Sequence, residues 1–282
     1  MFTTLMIISS SSLLVVVLWG WHYVRYDIRR MKRDRFLPPV LYSEAGKDSQ
    51  DQQHKWLLAH NLYYRSLHPD SQQVFLERTR IFMYYKKFEY QGLEPDPFIP
   101  LMISSAAIQL TFGLDDFRLD YFDRIYVFRT AYRMTLRQHY FQGHVSSKGI
   151  YLSWEHFMKG YQDYNDAHNV GIHEMAHALS FGFFSDPYTM PRQLRKRFNE
   201  YVENVRPIYR KMKDGEIALL DTYAGTNFNE FWAVSAESFF EKPMMMKLAE
   251  PELYQSMCKL LNQDPLEIMY SERPVHSIST KL

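Results

Sequence analysis

The sequence predicts an α+β protein that is mostly helical and contains a small mixed sheet. Apolar residues recur at helical spacing over 54–66 and 70–88. Short β-branched or aromatic runs follow between 124 and 153, and helical patterns return from 168 onwards. Because the strands cluster in the middle of the chain instead of alternating with helices, the pattern excludes a doubly wound sheet.

Seven segments carry helical patterns. They are 54–66, 70–88, 98–113, 168–182, 191–212, 227–241 and 251–261. Pro69 stands where it would begin the second of these helices. Segment 98–113, FIPLMISSAAIQLTFG, is mostly apolar and closed by Gly113, which predicts a helix buried on most sides. Its 16 residues and polar surroundings make it a poor candidate for a membrane span.

Three short segments are predicted to be strands, at 124–128, 135–141 and 150–153. Each is rich in β-branched or aromatic residues, and turn-forming residues such as Gly143 and Gly149 separate them.

Charge and cysteine content exclude several classes of function. The chain has 282 residues, with 33 Lys+Arg against 32 Asp+Glu, so the net charge is +1. It therefore lacks the overall basic character of a nucleic-acid-binding protein, and we expect no nucleic-acid partner. Cys258 is the only cysteine, which excludes an intrachain disulfide and a cysteine-based zinc site.

The N-terminal segment is predicted to be a membrane anchor over residues 1–24. No charged side chain occurs from Met1 to Trp21, which is long enough as a helix to cross a bilayer. The basic stretch RYDIRRMKRDR follows it, and the positive-inside rule then orients the rest of the chain to the cytoplasm. The expected location is the inner membrane, with one span. A cleaved signal peptide is the alternative, although its basic residues normally precede the apolar run.

The remainder divides into a linker and one domain. Residues 25–53 pass from basic to polar and contain Pro38-Pro39, which predicts a juxtamembrane linker. Its basic residues are either a solvated flank or a contact with anionic headgroups. Residues 54–282 are predicted to form the functional domain.

The stretch HNVGIHEMAHALSFG contains the pattern H-E-x-x-H, as His173, Glu174 and His177. Histidines four apart lie on one helical face, so both rings can bind one cation, while Glu174 is turned about 100° away. In such a site Zn²⁺ activates a water, and the glutamate takes its proton and passes it to the leaving amine. The alternative is an amphipathic helix with two partly buried histidines.

A third ligand is required, and its position is open. The extended motif H-E-x-x-H-x-x-G-x-x-H fails because Ser180 and Phe183 occupy the glycine and histidine positions. A glutamate from a later helix is the usual substitute. The candidates are Glu200, Glu203, Glu216, Glu230 and Glu237. Glu230 and Glu237 share a face of a strongly apolar helix, where carboxylates need a specific reason to be placed.

Three segments of the sequence carry distinctive patterns, namely YLSWEHFMKGYQDYNDAHNVGIHEMAHAL, YAGTNFNEFWAVSAESFFEKP and LERTRIFMYYKKFEYQGLE. Together they resemble the Mlc titration factor A family of zinc peptidases, and the resemblance covers roughly 70–260. Typical members are soluble, so the N-terminal anchor is a departure, and Trp232 replaces a usual phenylalanine.

The resemblance implies a zincin-like fold and assigns the site. Glu230 becomes the third zinc ligand, Tyr223 a stabiliser of the oxyanion, and Glu237 a residue that orients a ligand. It also implies peptidase activity, often tested as aminopeptidase activity. In such folds the edge strand before the motif binds the substrate, and IYLSW is expected to be that strand.

The expected function is hydrolysis of a peptide or protein substrate by a zinc metallopeptidase attached to the membrane. The alternative is a membrane-tethered regulatory protein that captures a transcription factor or peptide on the same scaffold.

Overall fold

A computed structural model describes residues 44–133, 140–185, 190–216 and 219–270. Its helices are α1 (Glu44–His60), α2 (Leu62–Ser66), α3 (Pro69–Tyr85), α4 (Phe98–Thr111), α5 (Trp154–Gly160), α6 (Val170–Ser185), α7 (Arg192–Lys213), α8 (Phe228–Glu241), α9 (Pro243–Ala249), α10 (Pro251–Leu261) and α11 (Pro265–Tyr270). Its strands are β1 (Lys87–Gln91), β2 (Arg124–Phe128), β3 (Tyr132–Arg133), β4 (Tyr140–Phe141), β5 (Gly143–Ser146) and β6 (Gly149–Ser153). The prediction of a mostly helical α+β protein is confirmed.

The main sheet has the strand order β1-β2-β6-β5 and is mixed. Strands β1, β2 and β6 are parallel, whereas β5 runs antiparallel to β6 and forms an edge of the sheet. The prediction that IYLSW is the edge strand was wrong, because β6 pairs on both sides. Alternating residues of β2 and β6, such as Val127 and Leu152, are fully buried under the helices.

The strand predicted over 135–141 is confirmed where the structure describes it, at Tyr140–Phe141. Strands β3 and β4 form a separate antiparallel pair in which Tyr132 aligns with Phe141, and residues 134–139 lie outside the described ranges. Strand β1 was not predicted, because its first residues fell within the helix predicted over 70–88, which ends at Tyr85. Strand β5 was not predicted because its small and polar residues give a weak strand pattern. Helices α5, α9 and α11 were not predicted either, since six or seven residues are too few to establish a helical period.

The first predicted helix differs in its extent. Helix α1 begins at Glu44, within the segment expected to be a linker, and it ends at His60. The side chain of Asn61 then accepts a hydrogen bond from the backbone N–H of Tyr64 (2.8 Å), which starts α2 in a new direction. The proposed anchor over 1–24 lies outside the described residues. Within the described ranges, no helix has the length and apolar character needed to cross a membrane.

Helix α4 is the central buried helix, as its composition predicts. Twelve of its 14 residues are buried, including the polar Ser104 and Thr111. The Thr111 hydroxyl donates to the carbonyl of Ala107 (2.7 Å), so burial leaves it satisfied.

Helices α6 and α8 pack side by side. They bring the H-E-x-x-H motif of α6 next to the segment FNEFWAVSAESFFE of α8. The buried indole of Trp232 on α8 donates a hydrogen bond to the carbonyl of Ala176 on α6 (2.8 Å). One helical turn further on, the hydroxyl of Ser180 donates to the side-chain oxygen of Asn229 (3.2 Å). These contacts set the position of the first turn of α8 against α6.

The close approach of Gly113 to the end of α10 gives a stability prediction. A Cβ atom at residue 113 would overlap the carbonyl oxygens of Leu261 and Asn262, and the Asn262 amide donates to the Gly113 carbonyl (2.8 Å). We expect Gly113→Ala to lower the free energy of unfolding by about 1–3 kcal/mol, because this backbone contact cannot widen without repacking α10. Urea unfolding at fixed metal content measures this change in the free energy of unfolding.

Gly225→Ala is the matched control, because nothing lies within 4 Å of a Cβ atom at that position. Equal effects of the two substitutions would contradict the packing argument.

Candidate metal centre

Two histidine nitrogen atoms and one glutamate oxygen atom, supplied by two helices, lie close together. His173 and His177 lie four residues apart on α6, and Glu230 lies in the first turn of α8. The two histidine Nε2 atoms are 3.0 Å apart, and each is 3.2 Å from Oε2 of Glu230. Within the described part of the chain, these residues form the one group whose ligand atoms suit a metal ion.

The spacing of these atoms fits a small tetrahedral cation. With metal–ligand bonds of about 2.0–2.1 Å, tetrahedral ligands lie about 3.3 Å from one another. The observed separations of 3.0–3.2 Å are close to that value. Imidazole nitrogen and carboxylate oxygen are also ligand types that divalent transition metals accept. The residues present therefore fit a resident metal ion.

The local fold of α8 holds Glu230 in place. The side chain of Asn227 caps the helix by accepting hydrogen bonds from the backbone N–H groups of Asn229 (2.9 Å) and Glu230 (3.0 Å). Glu230 therefore lies in the capped first turn of α8, and the packing of Trp232 on α6 places that turn beside the two histidines.

Glu237 holds the other side of His173. Its Oε1 atom lies 2.7 Å from Nδ1 of His173, and its Oε2 accepts a hydrogen bond from the backbone N–H of Asn169 (2.6 Å). The bond to Nδ1 leaves Nε2 of His173 directed at the metal position. This geometry suits the predicted orienting role of Glu237.

Glu174 lies beside the metal position with one free oxygen. A Cβ atom at Gly143 would be 2.5 Å from Cγ and Oε1 of Glu174, so the β5 backbone passes directly against this side chain. Oε2 of Glu174 is buried and has no hydrogen-bond partner in the described structure. Burial raises the pKa of Glu174 to about 7, which suits a group that both accepts and releases a proton.

Tyr223 lies at the mouth of the site, within the short 3₁₀ turn Thr222–Gly225. Its ring centroid is 6.3 Å from that of His173, and about half of its surface is exposed. Partial burial and the nearby carboxylates of Glu230 and Glu174 raise its pKa, so the phenol keeps its proton and can donate it in a hydrogen bond.

The other candidate ligands lie elsewhere. Glu200 and Glu203 are exposed on α7, and Glu216 is exposed in the turn after it. Ser180 and Phe183, which replace the glycine and histidine of the extended motif, contact α8 and Phe198 of α7 respectively.

In the metal-free site, a proton on His173 offsets negative charge of Glu230 and Glu237. Although burial opposes it, hydrogen bonds with Glu230 and Glu237 raise the pKa of His173 to about 10. Burial also opposes ionisation of Glu230, but hydrogen bonds with His173 and His177 lower its pKa to about 2. A metal ion must therefore displace a proton from His173 in order to bind.

Two structural residues escaped the sequence analysis. Asn169 links several elements, because its side chain accepts from the N–H of Ile172 (3.0 Å) and donates to Glu241 (2.9 Å). Its place just before the motif helix is a capping signal that could have identified it. Gly143 was taken for a turn, whereas it lies in β5 against Glu174. The turn residues of VSSKGI indicate the hairpin that contains it.

A sequence model of the glucose-regulated metallo-peptidase M90 family matches residues 29–261. The chain belongs to this family. The match covers the motif helix, α8 and the whole sheet, and it begins within the segment expected to be a linker. The M90 assignment confirms the resemblance to Mlc titration factor A, and it gives the chain a metallopeptidase-like fold.

Several individual M90 relatives can be compared directly. Mlc titration factor A of Escherichia fergusonii is 26% identical over 240 residues, covering 77% of this chain and 89% of that protein. The same-named protein of Yersinia pestis is 28% identical over 127 residues, covering 40% and 47%. An uncharacterized protein of Synechocystis sp. is 28% identical over 121 residues, covering 42% and 44%. The match thus spans less than half the length of the last two relatives.

The proton on His173 predicts how metal binding depends on pH. Below pH 10 the metal-free histidine is protonated, so metal binding must release that proton and the apparent affinity rises with pH. We expect Zn²⁺ binding at pH 8 to release about one proton from His173. Calorimetric titration in two buffers of different ionisation enthalpy measures this number.

His68→Ala is the control, because His68 is exposed at the start of α3 and lies away from the site. It should leave the proton release unchanged. Binding of Zn²⁺ with no proton release would show that His173 is already neutral.

Proposed function

We propose that this protein is a zinc-dependent metallopeptidase. His173, His177 and Glu230 hold the zinc ion, and Glu174 is the general base. One observation carries the proposal: the three ligand atoms lie within hydrogen-bonding distance of one another, and His173 lines the same cavity as Glu174. Membership of a metallopeptidase family supports the same reaction class.

The zinc ion, when bound, supplies Lewis acidity that polarises a carbonyl and makes water more acidic. Glu174 takes the proton from the attacking water through its unpaired Oε2 and then delivers it to the leaving amine. The β5 backbone at Gly143 prevents the Glu174 side chain from turning away. The phenol of Tyr223 donates a hydrogen bond to the oxyanion as the carbonyl becomes tetrahedral.

The substrate backbone adds to β5 as a further strand. Strand β5 borders the cavity through Gly143, and its outer edge has no strand beside it in the described ranges. The backbone N–H of Ser153 donates to the carbonyl of Gln142 (2.7 Å), so these two residues form a hydrogen-bonded pair of the antiparallel ladder. Because bonded and non-bonded pairs alternate along such a ladder, the N–H and C=O groups of Gly143 and Val145 point away from β6, toward the open edge of β5. These groups supply hydrogen bonds for an extended peptide.

A regulatory binding role is the second candidate. Relatives from Escherichia and Yersinia are named for titration of Mlc, which indicates capture of a protein by those relatives. On this scaffold, capture of a transcription factor or peptide needs the cavity and β5 but not the chemistry of Glu174. Retention of a protein partner by the inactive Glu174→Gln variant would separate capture from hydrolysis.

We further propose that residues 1–24 anchor the protein in the inner membrane with the peptidase domain in the cytoplasm. The uncharged stretch from Met1 to Trp21 and the basic residues after it support this orientation. Residues 25–53 then form the connection, with a helical end from Glu44 onward.

Replacement of the general base gives the direct test of hydrolysis. We expect Glu174→Gln to lower kcat for peptide cleavage by about 10²–10⁴-fold, because the amide cannot accept a proton. Zinc content, measured by atomic emission, should remain near one ion per chain, since Glu174 is not a ligand. Glu252→Gln, which removes an exposed carboxylate on α10, is the matched control. Full activity of Glu174→Gln would contradict the mechanism.

Removal of an outward backbone N–H tests strand addition. We expect Val145→Pro to lower kcat/KM by about tenfold, because proline cannot donate to the substrate backbone. Val145→Ala keeps the N–H and should retain most of the activity. Circular dichroism and zinc content check that the proline variant is folded. Equal activity of the two variants would contradict substrate binding along β5.

A further inference from the structure

The metal centre opens into a cavity of about 730 Å³ that extends beyond the catalytic groups. One wall is the β4–β5 segment, and another is the 3₁₀ turn with Asp221 and Tyr223. The far wall consists of α5 and the loop that leads into α6, and it presents His156, Lys159 and His168. Neither the metal site nor the proposed mechanism uses these three side chains.

Four acidic residues also line the cavity, and each already has a role. Glu237 accepts hydrogen bonds through both of its oxygens, and Glu174 is the proposed base. Asp166 accepts from the backbone N–H of His168 (2.9 Å), and Asp221 accepts from the backbone N–H of Tyr223 (2.7 Å). Hydrogen bonds therefore orient Asp166, Asp221 and Glu237, although these carboxylates keep their negative charge.

Of the three basic side chains of the far wall, those of Lys159 and His168 are exposed and are not engaged in this way. In the described part of the chain, the Lys159 ammonium and the His168 ring make no hydrogen bond or ion pair. The His156 ring is held at Nδ1 by the hydroxyl of Ser153 (2.8 Å), and its Nε2 atom has no assigned partner. The cavity thus offers hydrogen-bond donors and a positive charge to a ligand.

The backbone next to Lys159 is attached to the framework of the metal centre. The next residue, Gly160, touches the start of the motif helix: a Cβ atom there would lie 2.9 Å from Cα of Asn169. Asn169 also donates from its side chain to the Gly160 carbonyl (3.3 Å). Asn169 is bound to Glu237, which holds His173. The end of α5 is therefore attached to the same framework as the metal ligands.

We propose that Lys159, with His156 and His168, forms a specificity subsite for a carboxylate group of the substrate. An ammonium group on the wall of a partly enclosed cavity favours an anionic ligand. The protein would then prefer peptides that have Asp or Glu near the scissile bond, or a free C-terminal carboxylate at the same place. This inference rests on the proposed peptidase function and adds its substrate class.

Charge variants of Lys159 test the subsite with three peptide sets. The peptides share one sequence and carry Glu, Gln or Lys at each position beside the scissile bond, and each is made with a free or an amidated C-terminus. The zinc-loaded protein is compared with Lys159→Met and Lys159→Glu. Lys55→Glu is the matched control, because Lys55 is an exposed helical lysine of α1 that does not line the cavity.

We expect kcat/KM for the best acidic peptide to fall about fivefold in Lys159→Met and further in Lys159→Glu. Cleavage of the matching Lys peptide should rise in Lys159→Glu, while Lys55→Glu leaves both values unchanged. If the Glu peptides are preferred whether or not the C-terminus is amidated, the ligand is an acidic side chain. If the peptides with a free C-terminus are preferred whatever the side chain, the ligand is the terminal carboxylate. The same Glu-to-Lys ratio in wild type and Lys159→Glu would overturn the proposal.

Binding measurements separate this inference from the proposed function. If the wild-type protein cleaves none of the peptides, the peptidase proposal fails, and calorimetric affinities for the same peptides then decide on the subsite. Tighter binding of the acidic peptide that is lost in Lys159→Glu supports the carboxylate subsite. Equal affinity for the Glu and Lys peptides overturns it.

Discussion

The structure of the site depends on one buried carboxylate, that of Glu237. It accepts from the ring of His173 and from the backbone of Asn169, so it joins α8 to the first turn of α6. A buried carboxylate is costly unless hydrogen bonds satisfy it, and here both oxygens are satisfied. The same contacts set the ring orientation of His173, and they hold α5 in place through Asn169 and Gly160. One set of hydrogen bonds therefore positions His173, the first turn of α6 and the end of α5 that lines the cavity.

A second constraint comes from the edge strand. Strand β5 passes so close to Glu174 that only glycine fits at residue 143. The same strand forms a rim of the cavity, which places its outward backbone groups next to the proposed base. The proposed substrate position and the proposed proton transfer are thus linked by one short segment of backbone. The burial that raises the pKa of Glu174 to about 7 arises from this packing.

The charges of the cavity are divided between two tasks. Hydrogen bonds orient the acidic groups of the cavity, whereas the side chains of Lys159 and His168 make no such bonds within the described ranges. Under the proposed function, this division lets the site hold a divalent cation and still bind an anionic part of a substrate. It also suits the capture of a protein, because the cavity and the sheet edge remain available when chemistry is removed.

The sequence by itself determined the long helices, the central buried helix and the strands at 124–128 and 150–153. The periodicity and apolar composition of each element show which of its faces is buried, and this can be read from the residues of that element alone. It also identified His173, Glu174 and His177, because helical geometry alone places them. The tertiary structure decided what depends on distant segments: the meeting of Glu230 with the histidines, the interior place of β6, and the closeness of Gly143 to Glu174. The link between Asn169 and Glu237 spans 68 residues, and no local pattern encodes it. Lys159 likewise gains its proposed role only because α5 packs beside the motif helix.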